Sequence, residues 1–330
     1  MSTVEIESID DKGKHGRRGS ASRGSLNRRK FRDYMRYNYD LYLFLIPGLA
    51  ALFIFKYIPI VGIIIGFKDF NLRDGMFGSP WADPLFKYFQ TLLSMPQFFR
   101  VLANTLIINL YMLVFQWPLP IIIAIAVNEI VNVPFKRISQ TITYMPHFLS
   151  WVVVGAIFID ILSPQNGIVN NVIEAFGGKS QLFLGKAQYF RGILVVSQAW
   201  KESGWASIIY LASLQSIDPQ LYDAAKIDGA KKMLQLRHIT IPGLLPTMVF
   251  VILLRIAHAL DYNVQQIIML YNPLVYSTGD VISSYIYRVG LQQLKFSLTT
   301  ALGLFKGIIG LMMIVFANWL ARKFAGRGIF

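Results

Sequence analysis

Apolar runs long enough to cross a bilayer constrain this chain more than any other feature. A spanning helix needs about 20 consecutive, mostly apolar residues, and residues 41–65, 102–127 and 300–321 reach that length. Shorter or more polar runs cover 145–162, 193–214 and a segment starting near Leu244. The expectation is an all-α, polytopic membrane protein with six transmembrane helices. Pro47 and Pro59 in the first run, and Pro118 and Pro120 in the second, fit that reading. Neighbouring helices and local adjustments of the ladder satisfy the carbonyls that a proline frees. Composition agrees: 54% of the residues are hydrophobic and only 15% charged, where an ordinary soluble domain carries about a quarter charged.

The formal charge of +14 raises nucleic acid as a partner, but its placement points to lipid. Ten basic residues lie between Lys12 and Arg36, ahead of the first apolar run. A basic arm in that position marks an end facing anionic lipid on the cytoplasmic side. With the N-terminus inside, inner segments hold nineteen Lys and Arg and outer loops seven, so both termini read as cytoplasmic. No apolar segment occurs before residue 38, and the first span is expected to serve as its own insertion signal. There is no cysteine, and His15, His147, His238 and His258 fit no metal-ligand spacing. No metal or other cofactor is expected on this chain.

The resulting organisation has four parts. Residues 1–36 form a basic tail too poor in apolar surface to fold. Residues 37–98 hold the first span and an external segment whose aromatic residues suit an interface. Residues 99–321 form a core of five spans, with a cytoplasmic loop at 217–242, and 322–330 form a cytoplasmic tail.

The loop is the most informative stretch. Asp218 followed by Pro219 starts a helix, an N-cap and then a proline at the first helical position. Asp228-Gly229 ends it, Asp228 is available to cap a second helix to about Ile239, and Pro242 is expected to halt that one. Leu221, Ala224, Ala225 and Asp228 share one face. Small side chains there suit docking into a partner's groove, although a loop lying on the membrane surface has the same pattern.

Charges also occur inside the spans, where they usually face the bundle interior or an aqueous cavity. At 3.6 residues per turn, Gln198, Lys201, Glu202 and Trp205 fall within about 100° of one another. The face continues as Ile208, Ile209 and Ala212. This half-polar face reads either as a substrate pathway or as a packing device in which Glu202 pairs with Arg255 or Lys306. Gly303 and Gly307 have the spacing of close helix packing.

The stretch Asp223-Ala224-Ala225-x-x-Asp228-Gly229-Ala230, with Ile241-Pro242 beyond it, resembles the coupling motif of permeases from binding-protein-dependent ABC importers. That motif usually begins with Glu, and Asp223 keeps the charge. Phe55-Lys56-Tyr57-Ile58-Pro59, Trp200-Lys201-Glu202, Asn272-Pro273-Leu274-Val275-Tyr276 and Gly303-Leu304-Phe305-Lys306 are similar to the large-oligosaccharide branch of the maltose-type permeases. The likeness covers nearly all of the chain beyond residue 37. Ala257, Asn263 and Val264-Gln265-Gln266 depart from that branch.

The resemblance implies a type I importer permease in a bacterial inner membrane that works with a second permease, identical or not. Two cytoplasmic ATPase subunits would dock on Asp223, Ala224, Ala225, Asp228, Gly229, Ala230 and Pro242, and an external binding protein would deliver an oligosaccharide. The chain has no G-x-x-x-x-G-K-[ST] phosphate loop, so ATP is expected on the partner and this chain is not expected to be an enzyme. The other class is an ion-coupled secondary transporter of a polar solute, with Glu202 as the candidate intramembrane acid.

Overall fold

The computed structural model describes residues 37–257, 259–260 and 264–325. The basic tail at 1–36, the last residues 326–330, His258 and Asn263 lie outside them. Among the described residues the regular secondary structure is helical, apart from an isolated bridge between Lys68 and Trp81. Contacts divide the chain into two units, residues 1–62 and 63–330.

The first unit holds most of α1, Tyr39–Phe67. Pro47 sits within its α-helical part, and the ladder passes into a π-helical turn at Phe53–Tyr57 before Pro59. Such a local change absorbs the missing donor. No residue of Tyr39–Leu52 is buried, which suits a helix whose solvent is lipid.

The second unit contains α2 (Lys87–Ser94), α3 (Pro96–Asn128), α4 (Val133–Tyr144), α5 (Trp151–Ile161) and α6 (Ile168–Ala175). It continues with α7 (Ala187–Gln215), α8 (Pro219–Ile227), α9 (Lys232–Ile256), α10 (Val264–Leu270), α11 (Ile282–Tyr285) and α12 (Phe296–Ala325). The long helices α3 and α7 pack along each other. One apolar cluster between them holds Ile108, Met112, Phe190 and Leu194, and another holds Ile121, Ala124, Tyr210 and Leu214 with Leu244 of α9. A third joins Leu92 and Val101 to Ile282, Ala301 and Leu302.

Among the described residues, α1, α3, α9 and α12 are long and apolar enough to cross a membrane. The helices over 133–148 and 151–161 make a fifth crossing only if the pair, bent by 102°, is one span. That bend divides the run expected as one span over 145–162 into two helices. Leu149 N–H donates to Pro146 O at 3.2 Å in a tight turn, and Ser150 Oγ caps α5 by accepting from Val153 N–H at 3.3 Å. At 29 residues α7 is long enough to span, but Lys201 and Glu202 set its composition apart.

The segment after α1 is pinned to the start of α12. Ser297 Oγ donates to Lys68 O at 2.6 Å and accepts from Phe70 N–H at 3.0 Å. Asp69 accepts from Lys87 Nζ at 2.8 Å and from Tyr88 Oη at 2.7 Å. The Lys87 ammonium, then the Tyr88 hydroxyl, hold the Asp69 carboxyl below its usual pKa range.

Candidate functional site

The loop between α7 and α9 forms a projecting helix and a tight turn. Asp218 Oδ1 accepts from Gln220 N–H at 2.9 Å, and Pro219 takes the first turn of α8. At the other end Gly229 has φ +74°. Its N–H donates to Lys226 O at 3.0 Å, and Ala230 N–H reaches back to Ala225 O at 2.8 Å. This pair of bonds is the Schellman arrangement, which requires a left-handed residue after the helix and so favours glycine.

Leu221, Asp223, Ala224, Asp228 and Gly229 are exposed, while Ala225 and Ala230 are half-buried. Asp223 pairs with Lys226 at 2.9 Å. Two ties hold this region to the body: Tyr222 Oη lies 3.0 Å from Thr240 Oγ1, and Lys232 pairs with Glu129 at the end of α3. Behind α8 is a cavity of about 490 Å³ lined by Glu129, Tyr222, Lys226, Lys232 and Gln235.

Two details differ from the expectation. Lys231, not Asp228, is the N-cap of the helix after the turn. Nor does Pro242 halt that helix. A π-helical turn at Leu236–Thr240 absorbs the donor that Pro242 lacks, and the helix runs on through α9.

The second candidate lies on α7 where the bent α4–α5 segment meets it. Gly204 allows this approach, because a Cβ there would stand 1.9 Å from Thr143 O. Lys201 is buried at 5% exposure. Its ammonium donates to His147 O at 2.6 Å, pairs with Glu202 at 3.2 Å and sits 5.6 Å from the centroid of Trp151. The other Glu202 oxygen meets His147 Nδ1 at 2.8 Å. The His147 ring stacks on Trp205, which is 43% exposed, and Phe148 meets both rings edge-on.

Lys201, Glu202 and Trp205 therefore form one cluster, while Gln198 is buried behind them with no partner for its side-chain oxygen among the described residues. The expected alternative partners of Glu202 are engaged elsewhere. Arg255 donates to Gln116 Oε1 at 3.0 Å, and Lys306 to Ser283 Oγ at 2.9 Å. His147, Phe148 and Trp151 were not singled out from the sequence. The one local signal near them is Pro146, which breaks the helix and turns His147 towards α7.

The arrangement combines an exposed indole with a carboxylate whose charge is balanced by neighbours. An aromatic face beside a fixed acceptor can take the apolar face and hydroxyl groups of a sugar ring.

Residues 116–326 match the family described as "Binding-protein-dependent transport system inner membrane component". The chain is 38% identical over 290 residues to the polygalacturonan/rhamnogalacturonan transport system permease protein YteP of Bacillus subtilis (strain 168), a match covering 88% of this chain and 90% of that protein. Protein LplB of the same organism is 39% identical, with 88% and 91% covered. Among solved structures, the chain matches one from a bacterial ABC transporter involved in the import of the acidic polysaccharide alginate. The TM-score is 0.83 and the identity 37%, over 89% of this chain and 99% of that one. A bacterial alginate transporter in complex with an alginate pentasaccharide-bound periplasmic protein matches with a TM-score of 0.82 and 36% identity, over 90% and 99%.

Proposed function

Since this chain belongs to the family of binding-protein-dependent transport system inner membrane components, we propose that it carries acidic oligosaccharides handed to it by an external binding protein. It is a multi-pass membrane permease of a sugar-importing ABC transporter. One observation carries the choice of cargo. Two relatives matched over nearly nine-tenths of this chain are named for polygalacturonan/rhamnogalacturonan and for the acidic polysaccharide alginate.

In this reading α7 is a sixth span, shielded from lipid by its neighbours so that Lys201 and Glu202 face the bundle interior. Both termini are cytoplasmic, with the basic tail at 1–36 against anionic lipid. A second permease, identical or different, completes the pathway. ATP is bound and hydrolysed on two separate cytoplasmic subunits, and this chain needs no cofactor of its own. Those subunits engage α8 and the turn after it through Asp223, Ala224, Ala225, Asp228, Gly229 and Ala230. Pro242, at the start of the α-helical part of α9, passes the motion into the membrane. Glu202 and Trp205 face the cargo, with Lys201 and Gln198 supporting them from inside. Ion coupling through Glu202 is disfavoured because Lys201 and His147 already hold that carboxylate.

The test is uptake of a labelled oligogalacturonide trimer by cells with and without this chain, alongside a neutral oligosaccharide of equal length. Uptake of the acidic trimer should depend on the chain. Dependence of the neutral sugar alone would overturn the cargo assignment while leaving the permease role intact.

A further inference from the structure

The loop that carries α8 touches the rest of the chain at few points. Among the described residues none of α8 is buried, and the cavity of about 490 Å³ lies between its Tyr222 and Lys226 and the Ile125 and Glu129 side chains of α3. α8 thus lacks the packed apolar face through which core helices transmit strain, and its motion reaches the bundle through discrete ties. At its start Ile217 is seated against Gly243 of α9, where a Cβ would stand 2.7 Å from the Ile217 side chain. That contact is a pivot.

Two side-chain ties lie beyond the pivot, and they differ in shelter. Lys232 and Glu129 are 85% and 53% exposed, and water and salt leave such a pair little net strength. Tyr222 is half-buried and Thr240 buried, with their hydroxyl oxygens 3.0 Å apart. Thr240 Oγ1 donates onward to Gln235 O at the long distance of 3.5 Å, which leaves the Tyr222 hydroxyl as the donor between the two. Gln235 Nε2 donates to Ala230 O at 2.8 Å, and Ala230 N–H closes on Ala225 O of α8. A ring of hydrogen bonds therefore joins α8, the glycine turn and the π-helical turn Leu236–Thr240. Thr240 is the last residue of that turn, next to Ile241, where the α-helical part of α9 begins. Interruptions of this kind recur at functional sites.

We propose that the Tyr222–Thr240 hydrogen bond is the strut that passes the motion of α8 into α9, which makes Tyr222 a positioning residue for transport. The inference rests on the reading that the ATPase subunits engage α8, and it adds the bond through which that engagement reaches the membrane.

The experiment uses the whole importer, with its partner permease, ATPase subunits and binding protein, reconstituted in lipid vesicles. It reads trimer molecules taken up per ATP hydrolysed, with the labelled trimer, acidic or neutral, that the parent imports. Tyr222→Phe and Thr240→Val each delete one hydroxyl with little change of shape. Each should assemble with the parental amount of ATPase and move about threefold fewer trimers per ATP, or worse, the scale of one lost hydrogen bond. The double variant should lose no more than either single one, because the two hydroxyls make one bond. A parental ratio in Tyr222→Phe overturns the proposal, as does a double-variant loss equal to the product of the single losses. Failure of both single variants to assemble overturns it too, since the bond would then serve folding. Ala224→Cys, in a chain without native cysteine, checks the underlying reading by thiol-to-amine cross-linking to the ATPase. No cross-link in any nucleotide state sinks the docking reading, whereas a cross-link together with a parental ratio in Tyr222→Phe sinks only the strut.

Discussion

The imidazole of His147 lies flat on the indole of Trp205, with ring centroids 4.6 Å apart and planes 2° from parallel. Glu202, three residues before Trp205 on α7, holds that imidazole by its Nδ1. The carboxylate thus fixes one ring against the other, and the indole stays partly open. His147→Ala removes this support without emptying a closed core, since its side chain is 30% exposed. We expect normal insertion and uptake lowered several-fold, the scale of one lost aromatic pair at about 0.5–1.5 kcal/mol. Uptake at matched membrane levels checks this, and an unchanged rate would mean that the stack does not serve transport.

Exposure separates the residues that share the polar face of α7. A cysteine in place of Trp205 should react with a polar thiol reagent, and bound cargo should protect it. A cysteine in place of Gln198, which is 3% exposed, should stay unreactive under the same conditions. The reverse order of reactivity would remove Trp205 from the pathway.

Gly204 is a packing requirement. A methyl group there would press on the Thr143 carbonyl, a backbone atom that cannot swing aside. Gly204→Ala should destabilise the protein by about 1–3 kcal/mol, the usual cost of overfilling a packed contact. A lowered melting temperature in detergent is the readout, and an unchanged one would show that α4 and α7 separate readily.

Gly229 is required for a different reason. A Cβ there meets nothing within 4 Å, so space is not the issue, but φ of +74° costs most residues about 1–2 kcal/mol. Asn tolerates this region better than other side chains. Gly229→Asn should therefore keep ATPase docking and cargo-stimulated hydrolysis, while Gly229→Val should lose much of both with insertion intact. Full stimulated hydrolysis in Gly229→Val would show that the turn does not transmit motion.

The Asp69 clamp should respond to acid. Its carboxyl is held below the usual range by Lys87 and Tyr88, so the folded segment favours the ionised form. That contribution is complete above the unfolded carboxylate value of about 3.9 and is lost as pH falls through the lower folded value. Hydrogen exchange across residues 68–95 should therefore rise at strongly acidic pH and resemble that of Asp69→Asn at neutral pH. Equal protection in the variant and the parent would assign the order of this segment to Ser297 and the apolar contacts instead.

Local chemistry is legible in the residues themselves, and so the sequence alone located most of the apolar spans and the ends of α8. Asp218 caps and Pro219 starts the helix through groups two residues apart, and Gly229 is the residue a left-handed turn accepts, whatever surrounds it. Even so, the sequence misjudged Pro242, because a π-helical turn upstream can absorb a missing donor without any marker of its own. It also missed the 102° bend between α4 and α5, which sets where His147 points.

The two polar clusters belong to the tertiary structure. Glu202 finds His147 across 55 residues of chain, and Arg255 finds Gln116 across 139. A helical wheel shows that Gln198, Lys201, Glu202 and Trp205 share a face, yet it carries no information about which helix meets that face, or at what height. Those depend on how α3, α4, α7 and α9 are rotated and staggered against one another, and packing of the apolar side chains between them decides that.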